Sequence, residues 1–271
     1  MMNIPKLIDD IVGWIKKYCE KNGIDSLIVG VSGGIDSAVV TCLCEKTGIK
    51  TICVSLPYEY DQVPMDLATL NSENPMKETS TRRAYYLCRG RKVEYFIKAI
   101  QPIVLAYKNA GFGETQLLEG NLRSRIRANI LYDFAAKNNG IVVGTGNKDE
   151  DQIGYFTKGG DGLCDVCPLS NLHKSIVYEI AKVFGDIPQD IIDAAPTAEL
   201  WENQTDENEL GMTYDEVEWA LRILGRRPIA INRMEKKERD IVNKVKNMVK
   251  KNDHKLRYPP IFDPNNPENI E

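Results

Sequence analysis

Apolar residues at Ile4, Leu7, Ile8, Ile11, Ile15 and Tyr18 recur at helical spacing and predict an amphipathic first helix that Gly23 ends. Leu27-Ile28-Val29-Gly30-Val31 follows as a short apolar run rich in β-branched residues, bounded by Gly23 and Gly33-Gly34. Such a run predicts a buried parallel strand. A helix is expected from about Asp36 to Glu45, stopped by Gly48, and Thr51 to Leu56 reads as the next strand. Helix, strand, helix, strand predicts an α/β fold with a parallel sheet.

Further along, Pro57, Pro64 and Pro75, with Asn71, Ser72, Asn74 and Thr79 to Thr81, predict a long irregular stretch over 57–90 holding one or two helical turns. Val93 to Ile97 is a third strand, Gln116 to Lys137 a long helix carrying Arg123, Arg125 and Arg127, and Ile141 to Thr145 a further buried strand. A polar, Gly-rich segment spans 146–171, and helices are expected at about 173–184 and 189–194. Glu199 to Glu209 is acidic and loop-like. Thr213 and Glu216 stand at capping-box spacing and start a helix to Leu224. Asn232 is expected to cap a charged helix to about Lys250, and the tail from Pro259 should be extended. With no internal repeat or low-complexity linker, residues 1–271 read as a single domain.

Net charge over the 271 residues is −4, which disfavours a nucleic-acid partner held by a basic surface. No apolar run is long enough to span a bilayer. The first residues mix charges among apolar positions and lack a cleavage-type ending, so no signal peptide is expected. Seven cysteines, an odd number, suggest free thiols in a reducing, cytoplasmic setting. Only Cys164-Asp165-Val166-Cys167 has metal-like spacing. No second pair matches it, and the two histidines are His173 and His254, so two incidental thiols in a loop are the simpler reading. His173 receives no role.

The sharpest chemical signal is Gly30-Val31-Ser32-Gly33-Gly34-Ile35-Asp36-Ser37, set between a strand and a helix. Backbone N–H groups and the positive helix end favour phosphate there, and paired glycines allow close approach. Asp36 would repel a phosphate unless Mg²⁺ bridges the two. The loop lacks the lysine of a Walker A motif and the spacing of a dinucleotide fingerprint. A tight Gly-Gly turn capped by an acid remains the plain alternative.

Ser-Gly-Gly-Ile-Asp-Ser after a strand resembles the pyrophosphate loop of the N-type ATP pyrophosphatases, which cleave ATP between the α- and β-phosphates. Gly144-Thr145-Gly146-Asn147-Lys148-Asp149-Glu150, followed by Ile153-Gly154-Tyr155-Phe156-Thr157-Lys158-Gly159-Gly160-Asp161-Gly162, is similar to the pattern of the ammonia-dependent NAD synthetases. Asn121 to Arg125 resembles that family's N-x-x-A-R segment, with Ser124 in place of Ala. Pro168 to Lys174, Pro196 to Leu200, Asp206 to Gly211, and Asp253-His254-Lys255 with Pro259 to Asp263 follow in the family's order. Leu56-Pro57-Tyr58 begins like the adenine-side loop and Gln62 continues it, but Asn71 to Arg91 departs from the pattern.

The resemblance implies a doubly wound parallel sheet with helices on both faces, of the adenine nucleotide alpha-hydrolase-like type. It implies ATP as co-substrate on residues 30–37, that is Gly30, Val31, Ser32, Gly33, Gly34, Ile35, Asp36 and Ser37, together with Thr145, Lys174 and Thr197. Mg²⁺ would sit on Asp36 and Glu150, and deamido-NAD on Arg125, Lys158, Asp165, His254 and Lys255. The expected reaction is adenylation of the nicotinate carboxylate followed by attack of ammonia, giving NAD⁺, AMP and pyrophosphate, with no evident general base. A homodimer is implied, and the apolar positions of the 116–137 helix would suit its interface. No glutaminase module is expected beside this domain.

From the residues alone, bland readings persist. Glu150 fits an ordinary solvated acid in an acidic run. The arginines fit a solvated helix face. Lys174 fits a tolerated surface lysine, and His254 an exposed or structural one. Two rival functions are a tRNA-thiolating enzyme, opposed by the acidic balance, and a non-catalytic nucleotide sensor, opposed by the presence of Asp36 and Glu150.

Overall fold

The computed structural model describes residues 2–59, 80–197, 204–225, 234–262 and 264. The chain opens with α1 (Ile4–Asn22), β1 (Ser26–Gly30), α2 (Ile35–Thr47) and β2 (Lys50–Ser55). Both strands lie one residue earlier than predicted. Asn3 caps α1 by accepting a hydrogen bond from Lys6 N, and Gly23 closes it at φ 64°, a left-handed cap that favours glycine. After α3 (Ser80–Cys88) come β3 (Glu94–Ile97), α4 (Gln101–Asn109), α5 (Gln116–Lys137) and β4 (Gly140–Val143).

The four strands are all parallel, in the order β3-β2-β1-β4. Side chains alternate across the sheet, so each β1 residue serves one of two cores. Leu27 and Val29 pack with Ile15, Leu43 and Val177 beneath α1, α2 and α7 (Lys174–Phe184). Ile28 packs with Ile52, Val104 and Ile126 beneath α4 and α5. The sheet is therefore doubly wound, as expected. Past β4, α6 (Lys148–Ile153) joins α10 (Tyr214–Leu224) and α11 (Lys236–Asn252) around Ile153, Val217 and Val242. The short helices α8 (Gln189–Ile192) and α9 (Asp206–Leu210), and a single 3-10 turn at Asp253–Lys255 after α11, complete the described elements.

Four local expectations need correction. Helix α4 was not foreseen, because Val104 is its one buried apolar residue while Ile103, Leu105 and Tyr107 face outward and blur the period. The 57–90 stretch holds a longer helix, α3, than the turns expected. Part of the acidic segment 199–209 is helical rather than loop: Thr205 caps α9, and its acids lie in the first turn, where the helix dipole favours them. Helix α11 begins at Lys236 behind Glu235, while Asn232 lies outside the described residues. Gln62, Pro64, Pro75, Glu199, Leu200 and Asp263 lie outside them too.

Candidate active site

The loop from β1 to α2 is a turn that depends on Gly33. Gly33 adopts φ 84°, and a Cβ there would stand 2.1 Å from the Ser80 carbonyl oxygen. Ser37 Oγ donates to Gly34 O at 2.9 Å and accepts from Ser32 N at 3.2 Å, which folds the loop on itself. Arg83, from α3, donates to Gly33 O at 3.0 Å. Helix α2 starts with no side-chain cap, and Ile35, Asp36 and Ser37 line the adjoining cleft. An uncapped helix start on a cleft is a site for anions.

Glu150 reaches the same cleft through a helix cap. Asn147 accepts from Asp149 N and Glu150 N, and Glu150 Oε2 accepts from Asn147 N, forming a capping box at the start of α6. Asn147 is itself buried, and its amide donates to Asp36 Oδ1 at 3.1 Å. One asparagine thus fixes both predicted metal ligands. The solvated-acid reading of Glu150 is wrong.

Lys174 is buried at the start of α7, and its Nζ lies 2.5 Å from Asp36 Oδ2 and 3.9 Å from Glu150 Oε1. The surface-lysine reading fails as well. Burial works to lower the Lys174 pKa, but the charges of Asp36 and Glu150 prevail and hold it up. Burial and the Asp36 charge push Glu150 up to about 8. The Tyr214 hydroxyl bonds Glu150 Oε1 at 3.0 Å and Asp206 Oδ2 at 2.8 Å. Burial raises Asp206 against the lowering effect of that bond. Three carboxyl groups therefore gather around one ammonium. An oxygen-only donor set with surplus negative charge fits a hard divalent cation.

His173 also acquires a role. Its Nδ1 lies 2.6 Å from Asp149 Oδ1, and Asp149 Oδ2 accepts from Lys174 N at 2.8 Å. Asp149 is fully buried, so this strap seats the first turn of α7 on α6. Glu218 brings a third ligand-type atom within 4.8 Å, but Asp149 is already engaged at both oxygens and Glu218 pairs with Arg222.

The cleft measures about 1070 Å³. Gly30, Val31, Ser32, Gly34, Thr145 and Thr197 line it together with Asp36, Glu150 and Lys174. On the side of Leu56-Pro57-Tyr58, Arg127 donates to Leu56 O at 2.9 Å and the Arg123 guanidinium lies 3.8 Å from the Tyr58 ring centre. Arg123 and Arg127 are one helical turn apart and face inward, whereas Arg125 falls on the opposite side of α5. Sequence reasoning chose Arg125 and passed over Arg83, Arg123 and Arg127. The four-residue spacing of the last two was the available signal.

The predicted dinucleotide residues do not converge. Lys255 alone among them lines the cleft, donating to Gly154 O at 2.7 Å and Phe156 O at 2.9 Å. Arg125 and Lys158 are exposed and meet through Arg125 Nε and Lys158 O at 3.3 Å. Asp165 is spent on Val142 N at 2.7 Å and the Tyr132 hydroxyl at 3.3 Å. His254 is exposed beside Lys251 O. The 157–161 loop is nevertheless fixed to α5. Thr157 donates to Asn121 at 2.7 Å, and Ser124 Oγ donates to Asp161 at 2.6 Å while accepting from Asp161 N at 2.9 Å. The serine that replaces the family's alanine thus has a structural use.

Over residues 7–259 the chain matches the family model for NAD synthase. The chain belongs to the NAD synthase family. As a member it is an ATP-dependent ligase. It is 34% identical to the NH(3)-dependent NAD(+) synthetase of Methanocaldococcus jannaschii over 264 residues, covering 95% of this chain and 96% of that one. With the enzyme of the same description from Mesoplasma florum it shares 37% over 218 residues, covering 80% and 84%. Two solved family structures superpose over almost all of the chain. The NMN synthetase from Francisella tularensis does so with TM-score 0.79 at 31% identity, over 98% of this chain and 100% of that one. For the NH3-dependent NAD synthetase from Campylobacter jejuni, in complex with the nitrate ion, the values are 0.76 and 26%, over 97% and 100%.

Proposed function

We propose that this NAD synthase family member amidates deamido-NAD with ammonia at the expense of ATP, through an acyl-adenylate, releasing AMP and pyrophosphate. The observation that carries the reading is the meeting of Asp36, Glu150 and Lys174 beside the Ser32–Ser37 loop. The loop and the α2 start would receive the ATP phosphates. Asp36 and Glu150 would hold Mg²⁺, which offsets polyphosphate charge when bound. Lys174, whose ammonium lies on the same cleft, would compensate the charge of the departing pyrophosphate. Thr145 and Thr197 line the cleft for the nucleotide, and Leu56 to Tyr58 would flank its adenine. Rate then comes from positioning and charge compensation, with no side chain required as general base.

The outward-facing Arg125, Lys158 and His254 fit a dinucleotide site completed by a second copy, while Asp165 would serve it only by fixing the loop. Exposed Leu118 in the first turn of α5, with exposed Phe112 against Tyr107 of α4 just before it, supplies apolar surface for a homodimer. No described helix is long and apolar enough to cross a membrane. Seven free thiols suit a cytoplasmic enzyme, and the net charge of −4 gives no cause to expect a nucleic-acid partner. A second reading, in which NMN is the product, is favoured by the likeness to the Francisella tularensis NMN synthetase.

An end-point assay separates these readings. Protein, ATP, Mg²⁺ and ammonium are incubated with deamido-NAD or, in parallel, with nicotinate mononucleotide, and a third tube replaces ammonium by glutamine. Stoichiometric NAD⁺ and AMP in the first tube supports the proposal. Product in the mononucleotide tube alone transfers the assignment to NMN synthesis, and product in neither refutes the acceptor.

A further inference from the structure

The 161–167 segment is sewn to the end of β4. Gly144 N donates to Val166 O at 2.8 Å, Asp165 N donates to Val142 O at 2.9 Å, and Val166 bridges to Val143. This stitching turns the two cysteine side chains toward each other, with Sγ···Sγ at 3.0 Å. Cys164 is half-buried in a slot that exists because residue 144 lacks a side chain: a Cβ there would stand 2.4 Å from the Cys164 sulfur. Cys167 is exposed, while the five other cysteines are buried. Incidental thiols, the simpler reading of the sequence, do not predict sulfur contact.

We propose that Cys164 and Cys167 form a reversible dithiol–disulfide modification site whose oxidant is a low-molecular-weight disulfide. Cys167 as thiolate attacks one sulfur of the reagent, forming a mixed disulfide and expelling one thiolate. Cys164 then gives up its proton and attacks the Cys167 sulfur, closing the internal disulfide and releasing the second thiolate. Two electrons pass to the reagent, which leaves as two thiols. A sulfur–sulfur bond is about 2.0 Å long, so the pair has about 1 Å to close.

The roles of the two sulfurs follow from their surroundings. The hydrogen bond from Cys164 holds Cys167 down at about 7 against its burial, with help from Ser170 and against the charges of Asp151 and Asp165. That same bond, with burial, pushes Cys164 up. Tyr132 of α5 lies near both sulfurs, and its own pKa is raised by burial and by Asp165. Cys167 is thus the exposed nucleophile and Cys164 the shielded resolving thiol. Asp161 and Leu163 of the same segment line the cleft, and Gly144 precedes Thr145. Oxidation therefore strains the cleft wall, an effect that rests on the nucleotide reading of that cleft.

The test equilibrates the full chain with glutathione and glutathione disulfide over a wide range of ratios. After acid quench and alkylation, the 164–167 peptide is examined by mass spectrometry. An internal disulfide that appears as the ratio turns oxidising, and reverts with dithiothreitol, supports the site. So does accumulation of a glutathione adduct on Cys167 in Cys164→Ser, with no adduct on Cys164 in Cys167→Ser. Iodoacetamide should alkylate Cys167 in the native protein with a rate that rises through pH about 7. Two persistent thiols at every ratio, or tight Zn²⁺ uptake that blocks oxidation, would overturn the proposal. Steady-state assays of oxidised and reduced protein form a separate arm. Altered KM for ATP in the oxidised wild type, absent in Cys164→Ser/Cys167→Ser, supports the coupling. Unchanged kinetics refute the coupling and leave the thiol chemistry standing.

Discussion

Around Lys174, side chains from α2, α6, α7 and α10 are bonded to one another and mostly withdrawn from solvent. Along the outer side of α5 and after α11, Arg125, Lys158 and His254 stand in solvent outside that cleft. The first region is held together by bonds within its own fold. The second is a set of surface groups that the proposed function joins only through a second copy. Under the proposed function, preorganisation divides the site: the nucleotide half would belong to one chain, and the dinucleotide half to an assembly.

The sharpest way to break the comparison is to remove a charge from the organised half. Lys174→Ala should lower kcat/KM for ATP by about 100-fold or more, since the loss falls on charge developing in the transition state. A near-wild-type rate in a stopped-flow pyrophosphate assay would remove Lys174 from the chemistry. In the open half, Arg125→Ala should raise KM for deamido-NAD by about 10-fold and leave KM for ATP unchanged, the mark of lost substrate binding. An equal rise in both constants would abolish the division. Asn147→Ala should cost about 1–2 kcal/mol of stability through the lost cap, measured by urea unfolding, and weaken Mg²⁺ activation by freeing Asp36.

The smallest effect is on pH. Glu150 holds its proton in the folded protein to about 8, well above the ordinary value near 4.5. Between those limits the native state binds more proton than the unfolded state. The stability from this group is complete below about 4.5 and is lost as pH rises through about 8. The Tm of the metal-free protein should therefore decline over that window. Glu150→Gln, which keeps a capping side chain, should flatten the decline.

The same division explains what was legible in the sequence. The Ser32–Ser37 loop, the α5 span and the individual strands could be read because each is encoded within one contiguous segment, and the alternation of strands with helices then implied a parallel sheet. Asn147 and Glu150 stand three residues apart, so their capping box was readable too, but it went unseen behind the acidic run. Arg83 could not be reached that way, because it touches Gly33 across 50 residues. Nor could the Asp149–His173 strap or the Tyr214–Glu150 contact, whose partners are separated by 24 and 64 residues. Helix α4 was hidden because its outward apolar residues contradict the rule that apolar means buried.

The most direct test of the divided site is calorimetric. Phe112→Asp/Leu118→Asp places charge on the exposed apolar face without touching the cleft lining. Light scattering establishes whether that variant is monomeric, and titrations then follow Mg-ATP and deamido-NAD separately. The account predicts Mg-ATP binding within about 2-fold of wild type and deamido-NAD binding weakened by at least about 10-fold, or 1.4 kcal/mol. A monomer that binds deamido-NAD as tightly as the parent would show that one chain holds the whole site, and would contradict it.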